Sequence, residues 1–210
     1  MFRRTLLVLC CMMIAPLGVS AQTIQSTFDA GLEGWTTSTG GSLTFSATGG
    51  NPGGYLQQMD LDLQDMFVMA PAPFLGNLSA FQGGTLSFDV KQIVGTADYA
   101  PFGIVILRNG ANFVSADIVP PGLPGSDWST QSVILNATSF GTTPDFLASI
   151  MSNVTALEIM LESQVGVFET VGLDNVQLAV AVPEPGSLFL LTATGVGAIL
   201  TCRRKRLAQK

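Results

Sequence analysis

The chain has 210 residues, a formal charge of −6, no histidine and 11% charged residues, against roughly 25% in an average soluble domain. Its 23 glycines and 11 prolines exclude a mainly helical protein, because both residues interrupt helix. Cysteine occurs only at Cys10, Cys11 and Cys202, so the stretch between has no disulfide, no thiol metal site and no Cys–His nucleophile pair.

The charges are unevenly placed. Seven of the nine basic residues are Arg3, Arg4, Arg203, Arg204, Lys205, Arg206 and Lys210, all near the two ends. Between Gln22 and Val182 only Lys91 and Arg108 face fourteen carboxylates, which makes that stretch about −12. Nucleic-acid binding needs clustered lysine and arginine, and this stretch has none. Roughly 160 residues without disulfides are enough to bury a core of their own.

In chain order, residues 1–21 read as a secretory signal helix. Arg3 and Arg4 supply its charged start, residues 6–17 its apolar run, and Val19, Ser20 and Ala21 a cleavage site that leaves Gln22 first. Residues 22–180 then form short apolar runs between turns. Segments 43–47 and 85–90 alternate apolar and polar residues, as half-buried strands do. Segment 102–107 is continuously apolar, which suits a central strand; 132–135, 157–161 and 171–180 complete the series. Turns are expected at 49–54, 83–84, 109–110 and 120–122, with Asn109-Gly110 the strongest hairpin signal. Segment 144–153 is the one helix candidate. Many strands, Gly/Pro turns and one helix predict an all-β fold, a two-sheet antiparallel sandwich.

Residues 181–210 are of another kind. Pro183, Glu184 and Pro185 precede an uncharged apolar stretch, 187–202, and then Arg203, Arg204, Lys205 and Arg206. The stretch is shorter than the ~20 residues that span a bilayer comfortably, and the cations behind it are expected to stay on the cytoplasmic side. Two prolines keep the triplet extended and accessible to an enzyme.

This order of motif, apolar helix and basic cluster resembles the PEP-CTERM sorting signal. The resemblance implies a Gram-negative bacterium in which an exosortase recognises Pro183, Glu184 and Pro185, while Arg203, Arg204, Lys205 and Arg206 retain the tail at the inner membrane. It also implies a setting of exopolysaccharide production. A second resemblance covers residues 26–178. Phe28, Asp29, Gly34 and Trp35, then the 50–56 segment, Ala70-Pro71, Gly83-Gly84, Asp127-Trp128 and the closing 172–176 segment are similar to a laminin B (domain IV) module. The chain departs from that pattern at 66–69, where an aromatic pair is expected, and it lacks the cysteines of animal relatives. The resemblance implies a jelly roll like that of carbohydrate modules and brings no catalytic residue.

Candidate chemistry is sparse. Hard cations need several oxygen ligands, and Asp29 and Asp174 lie at strand ends that such a jelly roll brings together, so both are candidate ligands of a structural Ca²⁺. The alternative is that Asp174 accepts backbone amides in a turn. Asp60, Asp62 and Asp65 cluster without an EF-hand pattern and read as an exposed strand edge or loop. Trp35, Trp128, Tyr55 and Tyr99 are candidates for a sugar-stacking surface, although the positions of Trp35 and Trp128 beside landmark strands favour the core. The function expected is that of an exported, exosortase-sorted envelope protein whose sandwich binds or organises extracellular polysaccharide, and not an enzyme. The alternatives are a structural surface protein without a ligand and a carboxylate-based glycan hydrolase.

Overall fold

The computed structural model describes residues 22–181 apart from 39, 99–101, 119–121 and 165–167. The signal segment with Ala21, the Pro183–Glu184–Pro185 motif, the 187–202 stretch and the basic residues Arg203, Arg204, Lys205 and Arg206 lie outside the described residues, as does Tyr99. Among the described residues no helix is long and apolar enough to cross a membrane.

Among the described residues, eleven strands form: β1 (Thr23–Ser26), β2 (Thr36–Thr37), β3 (Gly41–Gly50), β4 (Gly53–Asp60), β5 (Phe67–Met69), β6 (Thr85–Val94), β7 (Val105–Asn109), β8 (Asn112–Ala116), β9 (Ser129–Ile134), β10 (Ala156–Met160) and β11 (Thr170–Ala179). One sheet has the order β3-β4-β11-β6-β9, with β1 also on β11; the other has the order β2-β5-β10-β7-β8. Every pairing is antiparallel. The expected two-sheet sandwich is therefore the fold.

Alternation decides which side chains meet between the sheets. Along β6, Leu86, Phe88 and Val90 point into the core, while Ser87, Asp89 and Lys91 face outward. On β11, Val171 and Leu173 are buried in one phase and Val176 and Leu178 in the other. The phase changes at a register shift against β6 between Asp174 and Gln177, where Asn175 has φ +48°. A β-bulge accounts for this, since one extra residue restores the inward face after the kink. From the second sheet, Val68, Val105, Leu107, Leu157 and Ile159 close the core, and their burial is the main favourable term in folding.

The helix, α1 (Pro144–Met151), is two residues shorter than the expected 144–153 segment. Thr143 caps it by accepting the Phe146 amide at 3.3 Å, Pro144 occupies the first turn, and Leu147, Ile150 and Met151 face the core. The Asn109-Gly110 signal does make a hairpin, but Asn109 pairs with Asn112 and the loop is Gly110 and Ala111. Gly110 supplies the left-handed φ of +60° that the turn requires.

Two expectations about single residues are corrected. Asp60 ends β4 fully buried, whereas Asp62 and Asp65 are exposed as expected. Gln58 and Asp60 sit on the inward phase of β4 behind Leu56, so the strand's inner face turns polar toward its end. Trp35 is in the core as expected, edge-on to Phe28 and Phe74, with its indole N–H donated to Ser26 Oγ at 3.0 Å. Trp128 is not a core residue: it is half-buried on the outer side of the six-stranded sheet.

Truncating a fully buried indole leaves a cavity lined by Phe28 and Phe74. Trp35→Ala is expected to lower the stability by about 3–5 kcal/mol, read from chemical denaturation of the full chain.

Candidate functional site

The outward residues of the six-stranded sheet collect in two adjoining patches. In register, Gln57 of β4, Gly172 of β11 and Lys91 of β6 lie side by side. Because Gly172 has no side chain, the Trp128 ring fits over the sheet there. A Cβ at this glycine would meet Trp128 at 2.9 Å and Tyr55 at 3.2 Å. Trp128 meets the Tyr55 ring edge-on at 5.3 Å, carries Lys91 Nζ 5.9 Å from its ring centre, and donates its indole N–H to the Gly49 carbonyl at 3.0 Å. Tyr55 is buried beneath and accepts Gln57 Nε2 at 2.7 Å.

Beside this aromatic patch runs a groove of about 230 Å³ lined by Gln25, Ser87, Asp89, Thr130, Asn175 and Gln177. These residues come from β1, β6, β9 and β11, and the bulge on β11 brings Asn175 into line with them. Asp89 organises the groove. Its Oδ1 accepts Thr130 Oγ1 at 2.6 Å; its Oδ2 accepts Asn51 Nδ2 at 3.1 Å and Asn175 Nδ2 at 2.9 Å. Asn175 Nδ2 also donates to the Asn51 carbonyl. Amides, hydroxyls and an ordered carboxylate offer paired donors and acceptors with fixed directions, and an adjacent ring offers an apolar face. That combination suits a polyhydroxylated ligand such as a glycan.

Asp174 lies at the head of the groove, fully buried. It accepts the Asn51 amide at 2.6 Å and its neighbour's amide, Asn175, at 2.7 Å. These are the backbone hydrogen bonds that the alternative reading of Asp174 anticipates. Burial raises its pKa, the two amides oppose that, and the charges of Asp89 and Asp29 add to the rise. Asp29 is thus a charge neighbour of Asp174; it is exposed and accepts Thr27 Oγ1 at 2.9 Å. Both oxygens of Asp89 and of Asp174 are committed to groups of the protein, which leaves neither poised as a general base in this geometry.

A different set of carboxylates is suited to holding a metal ion. Asp60, Glu162 and Glu169, all buried, place one oxygen each within 4.8 Å of one another. Burial, then the charge of Glu169, lifts the Glu162 carboxyl to about 7, with Asp60 and Asp65 adding to the rise and the Met66 amide opposing it. Burial also raises Glu169, against the amides of Ser163 and Gln164. Nothing in the spacing of these three residues marks them as a group. Each flanks a strand end, and only the fold brings them together.

No family model and no curated protein matches this chain. Among solved structures, it is similar to the family 11 carbohydrate-binding module of the cellulase Lic26A-Cel5E of Clostridium thermocellum, with 15% identity over 79% of this chain and 99% of that one, at a TM-score of 0.51. It is also similar to the tandem CBM22-1–CBM22-2 domain of Paenibacillus barcinonensis Xyn10C, with 18% identity over 80% of this chain and 51% of that one, at a TM-score of 0.53. The L4b domain of human laminin α-2 matches at 9% identity over 60% of this chain and 80% of that one, with a TM-score of 0.48. With the two carbohydrate-binding modules, at such identities, the shared feature is the fold, a jelly roll of the carbohydrate-module type.

The raised pKa of Glu162 predicts how stability depends on pH in chelator-containing buffer. An unfolded glutamate titrates near 4.3, so the contribution of this group is present in full below about that pH. It is lost as the pH rises through about 7, because folding then confines a carboxylate in a buried site. Urea midpoints measured from pH 5 to 8 are expected to fall across this window. Glu162→Gln is expected to flatten the decline.

Proposed function

We infer that the outer face of the six-stranded sheet is a glycan-binding surface, on a chain that is exported, sorted by an exosortase and held in or released from the cell envelope. The observation that carries the binding half is the pairing of Trp128, seated over Gly172 beside Tyr55 and Lys91, with the hydrogen-bonding groove organised by Asp89. A ring for sugar C–H faces and a row of fixed polar groups for hydroxyls form a binding surface without a catalytic pair. Carbohydrate-binding modules of similar fold support the reading at the level of architecture. The chain's own residues support it at the level of chemistry.

The export half rests on the sequence of the terminal segments. A signal segment ending at Ala21, the Pro183–Glu184–Pro185 triplet, the apolar 187–202 stretch and the four cations from Arg203 to Arg206 occur in the order a sorted surface protein uses. The matrix polysaccharide that accompanies such sorting systems is the ligand class that fits both halves.

Binding of the full chain to purified bacterial exopolysaccharide, followed by affinity electrophoresis across a glycan panel, tests the first half. Trp128→Ala is expected to weaken retention about tenfold or more, since loss of one aromatic contact on the order of 1.4 kcal/mol is a factor of ten. Retention by none of the panel would remove the binding reading and leave a structural surface protein. The intact mass of the protein recovered from its host's envelope tests the second half. A species that starts at Gln22 and ends near Pro183–Pro185 is expected; one retaining Arg203 to Lys210 contradicts sorting.

A further inference from the structure

We propose that Asp60, Glu162 and Glu169 form a binding site for one hard divalent cation, Ca²⁺ by class, which clamps the two sheets together at one end of the sandwich. Asp60 ends β4 and Glu169 immediately precedes β11, both in the six-stranded sheet, whereas Glu162 follows β10 of the five-stranded sheet. The three carboxylates are 0%, 4% and 0% exposed, and one oxygen of each lies within 4.8 Å of the others.

Two of the oxygens have no partner among the described residues. Among the described residues, Asp60 Oδ2 and Glu169 Oε2 are buried without a hydrogen-bond partner, and so is the hydroxyl of Ser163, which adjoins Glu162 in sequence. Leaving a buried charged oxygen unpaired is costly enough that native proteins pair it or coordinate it. One oxygen of each carboxylate is fixed by backbone amides. Asp60 Oδ1 accepts Asp62 at 3.0 Å, Glu162 Oε2 accepts Met66 at 3.2 Å, and Glu169 Oε1 accepts Ser163 at 3.0 Å and Gln164 at 3.3 Å. Each carboxylate is thus held in place through one oxygen, within reach of the other two.

No basic side chain among the described residues forms an ion pair with the three. Arg108 bonds Glu158 at 2.7 Å, and Lys91 lies over Trp128 on the outer face. A cation from solution supplies the missing charge. Its class follows from the donors: carboxylates and a hydroxyl, with no histidine in the chain, favour calcium, magnesium or manganese over zinc or copper. Between the hard cations, a buried site built from carboxylates suits Ca²⁺, because Mg²⁺ holds near-ideal octahedral coordination and keeps several waters. The site is distinct from the Asp29 and Asp174 pair, and it is independent of whether the outer face binds a glycan.

Calorimetric titration of the chelator-treated full chain with CaCl₂ tests the proposal. One Ca²⁺ per chain is expected, with a rise in Tm of about 5 °C or more at ~100-fold excess over Kd and little response to MgCl₂. Glu169→Gln and Asp60→Asn are each expected to abolish the response, whereas Asp29→Asn keeps it. Each of the first two removes repulsion within the cluster, so the metal-free variants are expected to be no less stable than the metal-free parent. Should either variant lack the parent's far-ultraviolet spectrum, hydrogen exchange of the parent decides. Calcium is then expected to protect the amides of Asp62, Met66, Ser163 and Gln164 beyond the rest of the chain. Absence of binding, binding that survives both substitutions, loss of binding in Asp29→Asn, or protection elsewhere overturns the proposal.

Discussion

The arrangement depends on how β11 is paired. β6 covers one edge of this strand along its length, while the other edge is shared: β4 takes residues 170–173 and β1 takes residues 176–179. Where the two neighbours meet, the strand bulges at Asp174 and Asn175. The bulge keeps the apolar face of β11 in the core on both sides of the break and turns Asn175 toward Asp89 and Asn51. One irregularity therefore serves packing and builds the groove. Asp174, buried beside it, receives the Asn51 amide and so ties the β3–β4 turn to the central strand.

The two ends of the sheet differ in electrostatic character. Near the bulge, carboxylates are saturated by amides and hydroxyls, and a charge such as that of Asp89 is dispersed over several donors. At the opposite end of β4, where Asp60 faces Glu169 and Glu162, the donors are too few for the oxygens. A chain with two basic residues between Gln22 and Val182 cannot neutralise such a cluster from its own side chains. At the proposed site, one bound Ca²⁺ would offset two of the charges of that buried cluster.

The fold was legible wherever apolar periodicity was strong. Segments 43–47, 85–90, 132–135, 157–161 and 171–180 fall within or overlap β3, β6, β9, β10 and β11, and 102–107 overlaps β7 in the interior of its sheet. β4 was hidden because Gln57, Gln58, Met59 and Asp60 do not alternate by polarity, although their burial alternates in part. The short strands β1, β2, β5 and β8 are held by pairing more than by pattern. Trp128 looked like a core residue because its neighbourhood matches a landmark strand. The glycine at 172, which gives the ring its place on the outer face, carries meaning only once β11 is positioned. Glu162 and Glu169 were invisible as a pair for the same reason, since their proximity is made by two different sheets.

The central claim concerns a place, the outer face of the six-stranded sheet. Backbone amide shift mapping of the full chain during titration with oligosaccharides of bacterial exopolysaccharide tests it most directly. Perturbations concentrated on Gln25, Ser87, Asp89, Thr130, Asn175 and Gln177 and on the Trp128 indole N–H are the predicted result. Perturbations confined to the five-stranded sheet, or none at saturating sugar, would contradict it.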